Sequence, residues 1–277
     1  MNVFEKLIQD IARLWQEYAS LFLSGIWSTL SLAVLCTAVG CIIGLLCGIL
    51  NTIPYTCTDP LPKRIILKLI RIMNRIYVEV FRGTPMILQA VVIYYGLPYF
   101  SNQALRFNSV WLCAFVVVSI NTGAYMAESV RGGILSIDPG QTEGAKAIGM
   151  THWQTMCHVI LPQTLRNILP QIGNNLIINI KDTSVMSIIG FTDFFAIYKS
   201  VTGSTYLYFP SAAIEMVGYL VLTLTASILL RLIEKKMAGS ANYELVQEDQ
   251  LVMAAGTYSH PDKKAFREHS REYKEEK

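Results

Sequence analysis

Apolar and polar segments alternate along this chain, and five of the apolar segments are about as long as a membrane-crossing helix. A hydrocarbon core about 30 Å thick is crossed by about 20 apolar residues in a helix. The five segments contain few charged residues and lie at residues 21–50, 80–98, 109–131, 167–190 and 209–233. The pattern predicts an all-α integral membrane protein with five transmembrane helices.

The two ends of the chain differ from these segments. Over residues 1–20 apolar side chains recur at helical spacing, and charged side chains occupy the opposite face. This pattern predicts either an amphipathic helix on the membrane surface or a helical extension of the first span. Residues 237–277 are charged and low in apolar content, which predicts a largely disordered cytoplasmic tail. The transmembrane domain is therefore expected at residues 21–236.

Composition excludes an ordinary soluble domain, because 52% of the residues are hydrophobic and only 16% are charged. Positive residues gather between the first two spans and after the fifth, as they do in segments that stay in the cytoplasm. These residues are Lys63, Arg64, Lys68, Arg71, Arg75, Lys235 and Lys236. The expected protein crosses the cell membrane several times, with its N-terminus outside and its C-terminus in the cytoplasm. Because the basic segment lies between two spans, we expect no nucleic-acid partner.

Small residues recur on one face of the first span. Gly40, Gly44 and Gly48 stand four residues apart, and Cys36 extends the row. Small residues at this spacing let a second helix approach closely. We therefore predict a helix-packing face here.

A polar segment between the third and fourth spans predicts a cytoplasmic hairpin of two short helices. Asp138 and Pro139 supply an N-cap and a first-turn proline, and Gln141 stands where a capping-box partner is found. Thr151 and Gln154 repeat the capping signal for a second helix.

The turn and the end of this hairpin also have local signals. Gly149 lies between the two helices, where it permits a positive φ and a sharp turn. Leu161 followed by Pro162 is expected to end the second helix. Two helices this short cannot bury all their apolar side chains, which are Ala145, Ile148, Trp153 and Met156. The hairpin is therefore expected to dock on another protein.

The same hairpin carries three short sequence matches, Glu143-Gly144-Ala145, Gly149 and Val159-Ile160-Leu161-Pro162. Together they resemble the EAA loop of bacterial ABC importer permeases, with Gly144 in place of the usual alanine and Val159 in place of the usual isoleucine. In that family the loop is gripped by the ATP-hydrolysing subunit. The resemblance implies an ATPase-coupling role for Glu143, Gly144, Ala145, Gly149, Leu161 and Pro162. The alternative is a cytoplasmic hairpin without a special role.

Three further segments, YVEVFRGTPMILQ at 77–89, AYMAESVRGGI at 124–134 and KDTS at 181–184, resemble permeases of polar amino-acid importers. This resemblance covers roughly residues 25–236 and implies a type I ABC importer permease fold. It also implies a second permease subunit, two ABC ATPase subunits and an extracellular or periplasmic amino-acid-binding protein. A homodimer is slightly favoured over a heterodimer.

Polar side chains inside the spans form the second group of candidates. They are costly at this depth and normally face a cavity or bond one another. One interpretation is a substrate pathway for a zwitterionic amino acid, and the other is hydrogen bonding that holds the helices together. The candidates are Gln89, Asn121, Thr122, Asn175, Asn179, Lys181, Asp182, Thr183, Ser184 and Glu215.

Several kinds of chemistry lack a signal in the sequence. It contains no GxxxxGK[ST] phosphate-binding stretch, so ATP and magnesium are expected on a separate ATPase subunit. This chain is expected to catalyse no reaction and to bind no cofactor. The four histidines and six cysteines show no metal-ligand spacing, and no metal site is predicted. The cysteines lie in apolar or cytoplasmic segments, which does not favour a disulfide framework.

Two other functions fit parts of the pattern. An ion-coupled secondary transporter would use Lys181, Asp182 and Glu215 for proton or sodium coupling. An ABC permease for another solute, such as sulfate or a metal complex, would share the coupling loop but not the FRGTP and KDTS segments.

Overall fold

The structure is a computed structural model that describes residues 2–54 and 59–237. The tail expected at residues 237–277 lies outside the described residues, apart from Met237. Within these two ranges the chain forms ten α-helices, joined in places by short π and 3₁₀ turns: α1 (Val3–Thr52), α2 (Leu61–Gly83), α3 (Met86–Val91), α4 (Leu97–Phe100), α5 (Val110–Leu135), α6 (Pro139–Ala147), α7 (His152–Thr155), α8 (Leu161–Asp182), α9 (Phe194–Thr205) and α10 (Tyr208–Met237).

Helix α1 has no break between the amphipathic residues 1–20 and the first span. At its start the Asn2 N–H donates to Glu5 Oε2 at 2.9 Å, which closes a capping box. The first proline of the chain is Pro54, and the helix ends at Thr52, because the residue before a proline disfavours helical dihedrals. Of the two alternatives for residues 1–20, the structure therefore has the helical extension.

The glycine face of the first span is confirmed as a packing face. A Cβ on Gly40 would lie 2.6 Å from Thr122 Cβ, and one on Gly44 would lie 2.8 Å from the Ala127 backbone nitrogen. Contacts at this distance are available only to glycine, so the backbones of α1 and α5 touch. The contacts advance together along both helices, which shows that α1 and α5 are parallel.

The second span is not the single straight helix over residues 80–98 that was predicted. Residues 61–83, which include the basic segment, form helix α2 rather than a loop, and the chain then bends by 110° before α3. The bend lies at Thr84-Pro85, where Thr84 has φ −117° and ψ 144°. Pro85 lacks an N–H and forces the preceding residue into extended geometry, so the helix stops there.

The fourth span is a bent pair as well. Helix α8 continues through a 3₁₀ turn at Thr183–Ile189 to Gly190, which has φ +87°. Helix α9 then starts at Phe194, after the N-cap Asp193, whose side chain accepts from the Ala196 N–H. It is bent by 54° from the preceding segment.

Three of the described helices, α1, α5 and α10, are long and apolar enough to cross a membrane. The number is five if each bent pair counts as one span. Helix α8 is antiparallel to α5, since Asn179 bonds Thr122 near the middle of α5 while Ile168 meets Gly133 near its end. The residues up to Leu232 form one compact unit.

Candidate functional site

The hairpin between α5 and α8 begins with the predicted N-cap residue and first-turn proline. Asp138 Oδ1 accepts from the Gly140 N–H at 2.6 Å, and Pro139 is the first helical residue. The predicted capping box with Gln141 is wrong. The amide of Gln163 at the start of α8 donates to Gln141 Oε1 at 3.3 Å, and this side chain links the two helices instead of reaching back to the cap.

The turn after α6 is confirmed at Gly149, which has φ +84°. The Gly149 N–H donates to the Lys146 carbonyl at 2.9 Å, and the Met150 N–H donates to the Ala145 carbonyl at 3.1 Å. These two bonds form a Schellman motif, in which glycine at the left-handed position satisfies the last carbonyls of a helix. The hairpin therefore has a defined angle that depends on one residue.

The second helix starts as predicted but does not end at Leu161-Pro162. Thr151 and Gln154 form the capping box, with the Thr151 N–H donating to Gln154 Oε1 at 2.8 Å. The chain then passes through a π turn at Met156–Ile160, and the Leu161 N–H reaches back five residues to the Met156 carbonyl. The wider turn changes the bonding just before Pro162, which has no N–H and needs no acceptor in the first turn of α8, and the helix continues into α8.

The apolar side chains of the hairpin divide into two groups. Ala145 and Met156 are buried, whereas Ile148 and Trp153 are 79% and 68% exposed. Glu143 and Gly144 are exposed on α6 as well. The six predicted coupling residues thus belong to one hairpin, which presents two large apolar side chains and a carboxylate to its surroundings.

Inside the membrane-spanning part, the predicted polar residues separate into three places. The first lies at the break between α2 and α3. The Gln89 amide donates to the Phe81 carbonyl and the Thr84 carbonyl, both at 2.9 Å, and the Asn121 amide donates to the same Phe81 carbonyl at 3.0 Å and to Gln89 Oε1 at 3.1 Å. These bonds satisfy carbonyls that the proline break leaves without helical donors.

The second place joins three helices. The buried Asn179 amide of α8 donates to Thr37 Oγ1 of α1 at 2.8 Å and to Thr122 Oγ1 of α5 at 3.0 Å. Asn175, one turn earlier, donates to Met126 Sδ at 3.3 Å. These side chains therefore form hydrogen bonds between helices, as in the interpretation that the polar residues hold the helices together. Their role in a substrate pathway stays a prediction.

The third place is a pocket of about 470 Å³ between the end of α8, α9 and α10. Three predicted residues from two distant parts of the sequence come together in it, namely Lys181, Ser184 and Glu215. The neighbouring Asp182 and Thr183 do not line it. The full lining is Lys181, Ser184, Phe195, Tyr198, Ala212, Glu215, Met216 and Tyr219.

Glu215 has an unusual environment in this pocket. The residue is 7% exposed, and both carboxylate oxygens are buried without a hydrogen-bond partner in the described residues. Behind it, the fully buried Asp193 accepts from the Tyr219 hydroxyl at 3.4 Å and from the Ala196 N–H at 2.9 Å. Two buried carboxylates therefore lie close to one pocket, and none of the ion pairs found in the described ranges involves either of them.

Asp193, Tyr198 and Tyr219 also belong to this site, although they were not among the residues predicted from the sequence. Asp193 precedes the apolar run of α9, which is an N-cap signal, but it lies between the spans predicted at residues 167–190 and 209–233. Tyr219 lies one turn after Glu215 on α10, and this spacing could have indicated that the two side chains share a face. Nothing local links either of them to Lys181.

The described residues contain no group of three or more His, Cys, Asp or Glu side chains placed to hold a metal ion. Five of the six cysteines are free, and Cys57 lies outside the described residues.

Comparison with known proteins gives consistent matches along most of the chain. Residues 66–239 match the family described as binding-protein-dependent transport system inner membrane component. The glutamine transport system permease protein of Escherichia coli (strain K12) is 36% identical over 228 residues, which cover 82% of this chain and 97% of that protein. The putative glutamine transport system permease protein of Rickettsia prowazekii (strain Madrid E) is 32% identical over 215 residues, 78% of this chain and 92% of the relative.

Two solved ABC transporter structures also resemble this chain. An amino acid ABC transporter crystallised with histidines has a chain that is 36% identical, with a TM-score of 0.68 over 79% of this chain and 95% of its own. An inward-facing MetNI methionine ABC transporter has a TM-score of 0.66 over 80% of this chain and 98% of its own. At 20% identity, the second likeness shows the fold alone.

Proposed function

The chain belongs to the family of binding-protein-dependent transport system inner membrane components, and on this premise we propose that it is the membrane-spanning permease subunit of an ATP-driven ABC importer for a polar amino acid. The amino-acid class is supported by the relatives named as glutamine permeases and by the amino acid ABC transporter structure at 36% identity. Glutamine is therefore the first substrate to test.

The observation that carries the proposal is the geometry of the hairpin at residues 138–162. Its Schellman turn at Gly149 sets the angle between two short helices, and Ile148 and Trp153 remain exposed on it. An exposed apolar pair next to a carboxylate is suited to a protein partner. We assign this surface to a separate ATPase subunit that carries ATP and magnesium, while this chain catalyses no reaction and binds no cofactor.

The nucleotide state of the ATPase subunits is coupled to the conformation of the permease through contacts that differ between the permease conformations. Each nucleotide state of the ATPase pair must bind one conformation of the permease more tightly than the other, because a ligand shifts an equilibrium only by its difference in affinity. The hairpin leads without a break through the π turn into α8, whose far end contributes Lys181 and Ser184 to the pocket. A rigid displacement of the hairpin would therefore be transmitted along α8.

The assembly we propose contains two copies of this chain, two ATPase subunits and an extracellular or periplasmic amino-acid-binding protein. The N-terminus lies outside the cell membrane and the C-terminus in the cytoplasm. This orientation is supported by the parallel packing of α1 and α5, which brings the basic start of α2 and the hairpin to the same side of the bilayer.

The test is uptake by the reconstituted complex of permease, ATPase and binding protein in proteoliposomes. The labelled solutes are L-glutamine, L-glutamate, L-arginine, L-histidine, sulfate and a chelated metal. We expect uptake of an amino acid that requires internal ATP and persists when ionophores collapse the ion gradients. Uptake that follows an ion gradient without an ATPase would establish the secondary transporter instead, and ATP-driven uptake of sulfate or the metal complex alone would establish the other ABC permease.

A further inference from the structure

Helix α2 enters the bundle from the side on which α1 ends. The Arg71 guanidinium donates to the Ile53 carbonyl at 2.5 Å, and the Asn74 amide donates to the Cys47 carbonyl at 2.8 Å. Later residues of α2 therefore meet earlier residues of α1, which shows that the two helices are antiparallel. Because α1 and α5 are parallel, the start of α2 lies on the same side as the hairpin that follows α5.

The first half of α2 lies at the depth of the lipid headgroups. The apolar segment of α1 ends at about residue 50, and Ile53, which accepts the bond from Arg71, lies three residues beyond it. Further along α2, the Tyr77 hydroxyl donates to the Ile120 carbonyl at 2.6 Å, near the middle of α5. Helix α2 therefore passes from the headgroup region into the bundle between Arg71 and Tyr77.

Four cations form a stripe along this part of α2. Arg64, Lys68, Arg71 and Arg75 follow one another at steps of four, three and four residues, so at 3.6 residues per turn they lie within about 60° of one another. Lys68 and Arg75 are exposed, and Arg64 is half-buried. Among residues 2–54 and 59–237, neither Arg64 nor Lys68 takes part in an ion pair. The Arg75–Glu79 pair, at 4.0 Å between two exposed side chains, is weak.

An exposed apolar face runs beside the cationic stripe. Leu67 and Asn74 are buried on the side of α2 that packs against the bundle. The side facing away from them carries seven apolar side chains that are each 47–59% exposed, namely Ile65, Ile66, Leu69, Ile72, Met73, Ile76 and Val80. A helix with an apolar face next to a row of lysine and arginine side chains is typical of the membrane interface, where the apolar face meets acyl chains.

We propose that the cationic stripe of α2 binds anionic phospholipids, with its lysine and arginine side chains on the headgroup phosphates and the adjacent apolar face on the acyl chains. Clusters of four or more basic residues on an amphipathic helix attract anionic headgroups, and α2 contains six basic residues and one acidic residue. A free phosphate would use the stripe but not the apolar face. The inference goes beyond the proposed function, because it holds whichever solute is carried.

The test is a titration of the full-length chain, purified in a mild detergent together with the subunits that co-purify with it. The ligands are phosphatidylglycerol and phosphatidylcholine with identical acyl chains, which differ in net charge. Native mass spectrometry counts the phospholipids bound at each concentration. A third ligand, glycerophosphoglycerol, is the soluble headgroup of phosphatidylglycerol without acyl chains.

A triple variant removes three cations of the stripe, Arg64→Gln, Lys68→Gln and Arg75→Gln. Arg71 is kept, because its bond to the Ile53 carbonyl holds α2 on α1. The matched control also loses two arginines and one lysine, all from exposed positions outside α2: Arg13→Gln, Arg106→Gln and Lys199→Gln.

The triple variant should lose the preference for the anionic lipid. Each basic side chain near an anionic surface contributes a factor of about five in affinity, so the wild type should bind phosphatidylglycerol at least about tenfold more tightly than phosphatidylcholine. The triple variant should bind the two lipids about equally, and the control should match the wild type. Added salt should reduce the preference of the wild type, because exposed charges are screened. Glycerophosphoglycerol should not displace the lipid.

Unchanged binding of phosphatidylcholine by the triple variant separates lost contacts from structural damage. If the triple variant does not fold, Lys68→Gln and Arg75→Gln, each made alone at an exposed position, should each weaken phosphatidylglycerol binding about fivefold. A wild type that binds both lipids equally, or a triple variant that keeps the preference, would overturn the inference. So would displacement of the lipid by glycerophosphoglycerol, which would show a phosphate site instead. These outcomes leave the importer function standing, since uptake tests it separately.

Discussion

At the scale of single residues, Asn179 shows how a polar side chain is accommodated in the middle of the bundle. Its amide connects α8 to Thr37 on α1 and to Thr122 on α5. The sequence predicted that a polar stripe would lie here but left its role open, because a stripe facing a cavity and a stripe facing another helix have the same spacing.

We expect Asn179→Leu to destabilise the folded protein. The substitution removes bonds to Thr37 and Thr122, and interhelical hydrogen bonds in membranes contribute about 0.6–1.7 kcal/mol each. Thermal unfolding of the detergent-solubilised protein measures the loss. Thr225→Val is the control, because that exposed hydroxyl bonds only the Val221 carbonyl of its own helix. An unchanged unfolding temperature in Asn179→Leu would contradict the packing role.

A role of the polar side chains in a substrate pathway is tested by a separate measurement, the KM of uptake. Replacing Asn121 and Asn179 by alanine should raise the KM of uptake if they touch the amino acid. An unchanged KM would show that the pathway assignment of these two residues is wrong.

A second residue-scale prediction concerns Gly44. A Cβ there would lie 2.7 Å from the Met126 carbonyl carbon and 2.8 Å from the Ala127 nitrogen, so the α5 backbone would have to move. We expect Gly44→Ala to lower the free energy of unfolding by about 1–3 kcal/mol, as overpacking of a close contact does. The thermal unfolding temperature checks this.

Gly132→Ala on α5 is the matched control for Gly44→Ala. No atom lies within 4 Å of its added Cβ, so it should be neutral or slightly stabilising in a helix. Equal effects of the two substitutions would contradict close packing of α1 on α5.

At the scale of elements, the coupling hairpin was the most predictable part of the chain. Its caps at Asp138 and Thr151 and its turn at Gly149 are local features that sequence patterns record. The end of the hairpin's second helix was not predictable from local sequence patterns. Pro162 is a stop signal in an ordinary helix, and only the π turn before it lets α8 follow on.

We expect Gly149→Val to uncouple the hairpin from the ATPase. A β-branched residue at φ +84° is strained by about 1–3 kcal/mol, so the Schellman turn should open and change the angle between α6 and α7. Co-purification of the ATPase with the tagged permease and ATP-driven uptake measure the effect, and both should fall.

Gly203→Ala, a helical glycine on α9 with nothing within 4 Å of its added Cβ, should leave co-purification and uptake as in the wild type. If Gly149→Val retained full ATPase binding and uptake, the hairpin would not be the coupling element.

The break between α2 and α3 is an element that the hydropathy pattern concealed. Apolar residues continue on both sides of Thr84-Pro85, so the pattern indicates one span where the chain bends by 110°. The bend is stabilised by Gln89 and Asn121, whose amides satisfy carbonyls at the end of α2. A side-chain bond to a distant helix has no signature in local hydrophobicity.

At the scale of the whole molecule, the directions of the helices agree with alternate crossings of a bilayer. Helices α1 and α5 are parallel, α8 is antiparallel to α5, and α10 is antiparallel to α8. This arrangement puts the coupling hairpin and the charged pocket at opposite ends of α8.

The proposed pairing of two copies predicts the composition of the assembly. When two differently tagged versions of this chain are produced together, purification on one tag should recover the other tag together with the ATPase. Membranes that each carry one version and are mixed only after solubilisation control for aggregation. Recovery of a single tag with a different permease chain would show a heterodimer instead.

Residue types and their local spacing were enough to predict the class of protein, the approximate spans, the glycine packing face and the cap and turn of the hairpin. Each of these follows from residue types a few positions apart, because burial in lipid, helix capping and a positive φ are local requirements. Tertiary structure alone decided which helices touch, where the second and fourth spans bend, and that Lys181, Asp193 and Glu215 share one region. Those residues lie far apart in the chain, and only the packing of α8, α9 and α10 brings their charges together.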